Sequence, residues 1–137
     1  MESEPFWLTI EDVREIHDDQ IHSFGGLAGV KDEGLVESAV AAPVNLYHYK
    51  GVDDVLALGI RLCMAIARDH GYVDGNKRTG AAAMLEFFVL NGYWLGVPDD
   101  NETHPLLGTL VVQTLLDELD ESQLYDILIA YFRPLVP

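Results

Sequence analysis

Apolar residues recur along most of the chain at three- and four-residue intervals, the period of amphipathic helices, and strand-type alternation is weak throughout. Thr9 stands three positions before Asp12 and opens a first helix running to about Ile21, which Phe24-Gly25-Gly26 stops. Asp32 caps a second, short helix carrying Leu35, Val36, Ala39 and Val40; Pro43 is expected to end it and to leave Asn45 to Gly51 as a tyrosine-rich loop. Asp53 or Asp54 caps a third helix, in which Val55, Leu58, Gly59, Leu62, Cys63 and Ile66 keep the helical period and Arg61 is the lone charge. A fourth helix, Asn76 to Asn91, has the same character, with Ala81, Met84, Leu85, Phe88 and Val89 on its expected inner face, Glu86 its one acid and Gly92 its stop. Helices near Glu102 to Glu118 and Glu121 to Phe132, the last closed by Pro134, complete an all-α reading of about six helices around a central buried pair.

Composition narrows this reading. A chain of 137 residues with 49% hydrophobic and 23% charged residues fits one globular domain over positions 1–137, with no internal repeat or low-complexity tract. Eight Lys and Arg against 23 Asp and Glu give a net charge of −15, which argues against nucleic acid and membrane partners. Cys63 is the single cysteine, so a reducing cytoplasm is the expected compartment. Met1 to Pro5 reads MESEP, where no secretory signal is expected. The longest apolar stretch, Val55 to Ala67, spans 13 residues and includes Arg61, short of the roughly 20 that cross a bilayer.

The chemistry concentrates between the two buried helices, in His70-Gly71-Tyr72-Val73-Asp74-Gly75-Asn76-Lys77-Arg78-Thr79. Lys77 and Arg78 fall in a first helical turn, where the helix dipole makes a cation cost about 0.3–1 kcal/mol. A bound anion reverses that sign. Free backbone N–H groups after Gly75 together with two cations describe a phosphate site. Asp74 offers a hard oxygen suited to Mg²⁺, and His70 a general base near neutral pH. Taken singly, each residue has a plainer reading: a histidine at a helix end as dipole partner, Lys-Arg as a solvated face, Asp-Gly-Asn as a turn. Their conjunction within nine residues favours a site. A Walker A loop is excluded, because Asn76 occupies the place of its second glycine, and His17 and His22 are five apart rather than four, which excludes a helical zinc pair. His48 and His104 read as surface residues.

His70 to Thr79 resembles the H-x-F-x-D-G-N-K-R-T signature of the death-on-curing toxins, the Doc branch of the Fic family. The likeness extends to Leu8 to Val13, Ile16-His17, Phe24-Gly25-Gly26, Gly34 to Ala39 and Leu90-Asn91-Gly92, most of the first 95 residues. It implies an all-α Fic bundle and the toxin of a type II toxin–antitoxin system. By the same resemblance His70 takes the proton from a target hydroxyl and Asp74 holds Mg²⁺ on the nucleotide phosphates. Gly75 and Asn76 form an anion cradle, and Lys77 and Arg78 bind phosphate. Two positions depart from the pattern. Tyr72 stands in place of a core-anchoring Phe, so its hydroxyl needs a partner if buried, and Gly71 in place of Pro implies a less rigid loop.

Adenylyl-transferring Fic proteins resemble H-x-F-x-[D/E]-G-N-G-R-x-x-R, whereas this chain has Lys77 at the second glycine and Ala81 at the second arginine. The Doc pattern implies instead transfer of the terminal phosphate of ATP, or another nucleoside triphosphate, to a Thr or Ser hydroxyl of a translation protein, elongation factor Tu being the family's target. Adenylyl transfer and a catalytically silent interaction module are the alternatives. An inhibitory [S/T]-x-x-x-E-[G/N] helix is missing, since Glu33-Gly34 has Gly29 at the Ser/Thr place; inhibition is therefore expected from an antitoxin segment, basic to complement the acidic surface. Asn45 to Gly51, with Tyr47, His48 and Tyr49, is either a target-docking segment or a packed aromatic loop. Arg61 and Glu86 are level if the central helices run antiparallel, and either pair or reach solvent separately.

Overall fold

The computed structural model describes residues 3–98 and 106–136, and within them six α-helices and one two-stranded sheet. The helices are α1 (Ile10–Phe24), α2 (Glu33–Lys50), α3 (Val55–Asp69), α4 (Asn76–Leu90), α5 (Leu106–Leu115) and α6 (Glu121–Leu128). Strand β1 (Tyr93–Leu95) pairs antiparallel with β2 (Phe132–Pro134), Trp94 lying opposite Arg133. Local chemistry sets the starts. Thr9 and Asp12 close a reciprocal capping box at α1, Asp32 accepts from the Leu35 N–H at α2, and Asp54 accepts from the Ala57 N–H at α3.

The centre of the fold is the antiparallel pair α3 and α4. Each carries a glycine at the contact: Gly59 makes room for the Phe88 ring, which a methyl there would enter, and at Gly80 the backbones approach, a methyl there lying 2.6 Å from the Cys63 carbonyl oxygen. Around this contact Leu56, Leu58, Ile60, Leu62, Met64, Met84, Phe87 and Phe88 are fully buried. The other elements wrap this pair, α2 and α6 packing on α3 and α1 on α4. Burial of each large side chain contributes roughly 1.5–3 kcal/mol, so this pair supplies much of the folding free energy.

Several expectations are corrected. Pro43 does not end α2: the helix continues through it to Lys50, and the Asn45 to Gly51 stretch is helical up to Gly51, its left-handed C-cap. A proline inside a helix costs about 3 kcal/mol. Packing beyond it offsets that cost, because Leu46 and Tyr47 lie against the core and Tyr47 meets Trp7 edge-on at 5.7 Å. The last predicted helix ends early, at Leu128, and passes through a 3₁₀ turn (Ile129–Tyr131) into β2, so Pro134 closes a strand. The two three-residue strands that pair there, Tyr93–Leu95 and Phe132–Pro134, are too short to show alternation. In α4 the inner face is Thr79, Gly80, Ala83, Met84, Phe87 and Phe88, while Leu85 and Val89 are exposed. That helix is apolar nearly all round, so its pattern does not select a face; the approach at Gly80 does. Arg61 pairs with Glu121 on α6 at 2.8 Å rather than with Glu86, which is exposed. Burial pushes the Glu121 carboxyl above its usual range despite Arg61 and Arg68 nearby. Folding therefore favours the protonated acid, and this contribution fades as pH rises through the folded value. His48 is at the surface, 2.9 Å from Glu4, and His104 and the predicted helix start at Glu102 lie outside the described residues. Among the described residues no helix is long and apolar enough to cross a membrane.

The Gly80→Ala variant is expected to lose roughly 1–3 kcal/mol, since the clashing atom is backbone that cannot rotate away. Chemical denaturation checks this; stability equal to the parent would mean that α3 and α4 are further apart than described.

Candidate functional site

The loop from His70 to Gly75 joins α3 to α4 and is tied down from three sides. The Gly71 carbonyl accepts from the Lys31 and Asp32 N–H groups at 2.8 and 3.0 Å, and the Val73 N–H donates to the Gly29 carbonyl at 3.1 Å. A side chain at Gly71 would collide with Val36, its Cβ 2.6 Å from the Val36 Cγ2. Glycine at this position thus brings the loop onto α2, and the bonds to residues 29–32 hold it there. Asn76 closes the loop from within: its Oδ1 accepts from the Tyr72 N–H and its Nδ2 donates to the Tyr72 carbonyl, both at 3.0 Å. The Tyr72 ring is buried and lies flat on His17 of α1, centroids 4.0 Å apart.

His70, Asp74, Gly75, Asn76, Lys77 and Arg78 all line one open cleft of about 330 Å³, with Val73 beside them. His70 caps α3 in the left-handed conformation at φ 53° and is exposed. For a residue with a Cβ that conformation costs about 1–2 kcal/mol, which the surrounding loop sustains. Gly75 is the N-cap of α4; it has φ 77° and supplies no side-chain cap, so the first amides of α4 are left to whatever occupies the cleft. The Asn76 side chain is spent on Tyr72, which leaves this residue its backbone N–H for an anion.

Asp74 is held by its surroundings. Its Oδ1 accepts from the Gly75 N–H at 2.8 Å and its Oδ2 from the Leu27 N–H at 3.2 Å. These two bonds, more than the nearby charges of Arg78 and His17, hold its carboxyl below the usual carboxylate range. The sign is that of a depressed acid: the bonds stabilise the loop above the ordinary carboxylate pKa and are lost as pH falls through the folded one. Among the described residues no cluster of three or more His, Cys, Asp and Glu could hold a metal by itself. One ionised carboxylate facing an open cleft fits Mg²⁺, which takes one or two carboxylates and completes its shell with water and phosphate oxygens. Lys77 is exposed, and among the described residues neither it nor Arg78 has a carboxylate within ion-pair distance. The Arg78 guanidinium turns toward α1, donating to the Gly25 carbonyl at 2.8 Å and lying 5.9 Å from the centre of the Phe24 ring.

Two features of the site were absent from the sequence reading. His17 is buried under the loop, its Nε2 2.7 Å from the Asp74 carbonyl oxygen. The segment from Gly25 to Val30 borders the cleft and supplies partners to Asp74, Val73 and Arg78. For His17 a signal existed, since Val13, His17 and Ile21 form one stripe along α1, and a histidine on an apolar stripe needs a polar partner across the interface. The glycine-rich segment carries no periodic signal.

The Fic/DOC family model matches residues 7–88 of this chain. A protein named Toxin Doc from Mycolicibacterium smegmatis is 38% identical over 79 residues, 57% of this chain and 61% of that relative. The chain thus spans under two thirds of the mycobacterial protein. The Protein kinase doc of Escherichia phage P1 is 30% identical over 121 residues, 88% of this chain and 91% of that relative.

The Tyr72 hydroxyl is buried and has no hydrogen-bond partner among the described residues, and burial pushes its pKa up to about 12. Tyr72→Phe keeps the ring on His17 and removes the orphaned group, so stability is expected to hold or rise by about 1 kcal/mol. A thermal melt showing a loss of that size would mean that the hydroxyl has a partner.

Proposed function

The chain belongs to the Fic/DOC family, and from that premise we propose that it is the toxin of a toxin–antitoxin pair that phosphorylates a Thr or Ser hydroxyl of a translation protein, elongation factor Tu being the first candidate. The observation that carries this reading is the uncapped N-terminus of α4, where Lys77, Arg78 and free amides share a cleft with His70 and the ionised Asp74. Such an array of positive potential has a clear use when a polyphosphate lies across it. ATP or another nucleoside triphosphate is the phosphate donor, and the cytoplasm is the compartment where donor, target and antitoxin meet.

In this reading the left-handed Gly75 opens the helix end, the Asn76–Arg78 backbone amides and the Lys77 ammonium hold the phosphates, and Arg78 exchanges the Gly25 carbonyl for a phosphate oxygen. Asp74 would hold Mg²⁺, which would supply charge neutralisation for the nucleotide phosphates. His70 takes the proton of the target hydroxyl as its oxygen forms a bond to the terminal phosphorus. The bond from that phosphorus to the bridging oxygen breaks, and the nucleoside diphosphate leaves. Positioning and charge compensation supply most of the acceleration in such a transfer.

Terminal-phosphate transfer is favoured over adenylyl transfer by Lys77, which stands where the adenylyl-transferring pattern has glycine, and by Ala81 in place of its second arginine. The name of the phage relative, Protein kinase doc, supports the same choice. The antitoxin segment is expected to be basic, since the chain carries −15.

Incubating the protein with bacterial extract and ATP labelled at either the α- or the γ-phosphate decides the reaction. Label from the γ-position, abolished in His70→Ala, is the expected result. Transfer of the α-label contradicts the kinase reading.

A further inference from the structure

His17 lies outside the loop motif, on α1, and is 1% exposed. Both of its ring nitrogens have a neighbour. Nε2 is 2.7 Å from the Asp74 carbonyl oxygen and Nδ1 is 3.7 Å from the Asp18 Oδ1. A carbonyl can only accept, so Nε2 carries the hydrogen and donates. The ring face is used as well, stacked 10° from parallel on Tyr72. One side chain thus grips the loop twice, by its plane at Tyr72 and by its edge at Asp74.

The second grip reaches the site through the geometry of a single peptide. A peptide group is planar, so fixing the direction of the Asp74 C=O also fixes that of the Gly75 N–H on the other side of the bond. That N–H donates to the Asp74 Oδ1, whose partner oxygen accepts from Leu27. Rotation of this peptide would swing the carboxylate and tilt the first free amides of α4 together. Steric fit agrees with this arrangement. A Cβ on Gly75 would lie 3.1 Å from the Ile21 Cδ1 and 3.7 Å from the His17 Nε2, so α4 begins seated directly on the α1 stripe.

We propose that His17 is a positioning residue of the site: through the hydrogen bond from its Nε2 to the Asp74 carbonyl it sets the orientation of the Asp74–Gly75 peptide, and with it the carboxylate and helix-end amides that receive a metal-bound triphosphate. This inference rests on the nucleotide reading given above, and its test separates the two. A purely structural histidine would serve α1–α4 packing alone, and an aromatic ring of similar shape would replace it.

Three full-length proteins are compared: the parent, His17→Gln, which returns an amide donor near the Nε2 position, and His17→Phe, which keeps a stacking ring without a donor. Melting temperature reports the fold, calorimetry reports affinity for ATP with Mg²⁺, and hydrogen exchange reports the Gly75 and Leu27 amides. The Phe variant is expected to fold, to bind ATP with Mg²⁺ about tenfold more weakly, as loss of one buried hydrogen bond implies, and to exchange both amides faster. The Gln variant is expected to recover most of the affinity and the amide protection. Affinity and exchange in His17→Phe equal to the parent's would overturn the proposal. Should His17→Phe not fold, His17→Asn, whose amide stops short of Asp74, replaces it, and equal behaviour of Asn and Gln then overturns the proposal. If the parent itself binds no nucleotide, the function reading fails, and the exchange of the two amides across the same variants still decides whether His17 orients the peptide.

Discussion

Everything in this structure hangs on how closely α3 and α4 approach. Gly80 lets the two backbones meet and Gly59 makes room for the Phe88 ring between them, and the six residues from His70 to Gly75 must then turn the chain within a narrow gap. So tight a turn forces left-handed conformations at both ends, at His70 and at Gly75. The first turns the imidazole outward at the rim, and the second opens α4 without a side-chain cap. Packing in the core and the chemistry at the surface are therefore consequences of one steric choice. The cost of the strained ends and of the uncapped helix is met by the burial around the glycine contact.

Charge reinforces the same division. The surface is acidic, yet Lys77 and Arg78 stand at one helix N-terminus without a carboxylate partner among the described residues, while Arg14, Arg61 and Arg68 are paired. Those paired cations stabilise contacts between helices. The unpaired pair opposes the α4 dipole and contributes only when an anion is present. Arg78 meanwhile rests on Gly25 and Phe24, which links the glycine-rich segment beside the cleft to whatever draws the guanidinium away.

Much of this was legible in the sequence because the signals were local. Thr9, Asp32 and Asp54 announce helix starts by their own side chains, and the spread of charge and apolar residues between Val55 and Asn91 marks the buried pair. The loop residues His70, Asp74, Gly75, Asn76, Lys77 and Arg78 were readable by proximity in sequence, and they line one cleft. What escaped depends on contacts distant along the chain. Pro43 is tolerated because Tyr47 reaches Trp7, Arg61 chooses Glu121 some sixty residues away, and β1 finds β2 across the intervening helices. His17 belongs to the same class, 57 residues from the carbonyl it holds. Asn76 shows the limit within a local motif. Its side chain serves the loop from inside, an arrangement that spacing alone does not distinguish from an anion ligand.

The central claim is that the start of α4 receives the phosphates of a metal-bound nucleotide. Titrating ¹⁵N-labelled protein with ATP and Mg²⁺ tests it most directly by following backbone amide resonances. Saturable shifts at Gly75, Asn76, Lys77 and Arg78, with the α6 amides unmoved, are the predicted result. Amides at the start of α4 that stay fixed while nucleotide binds elsewhere, or at no site, would contradict the account.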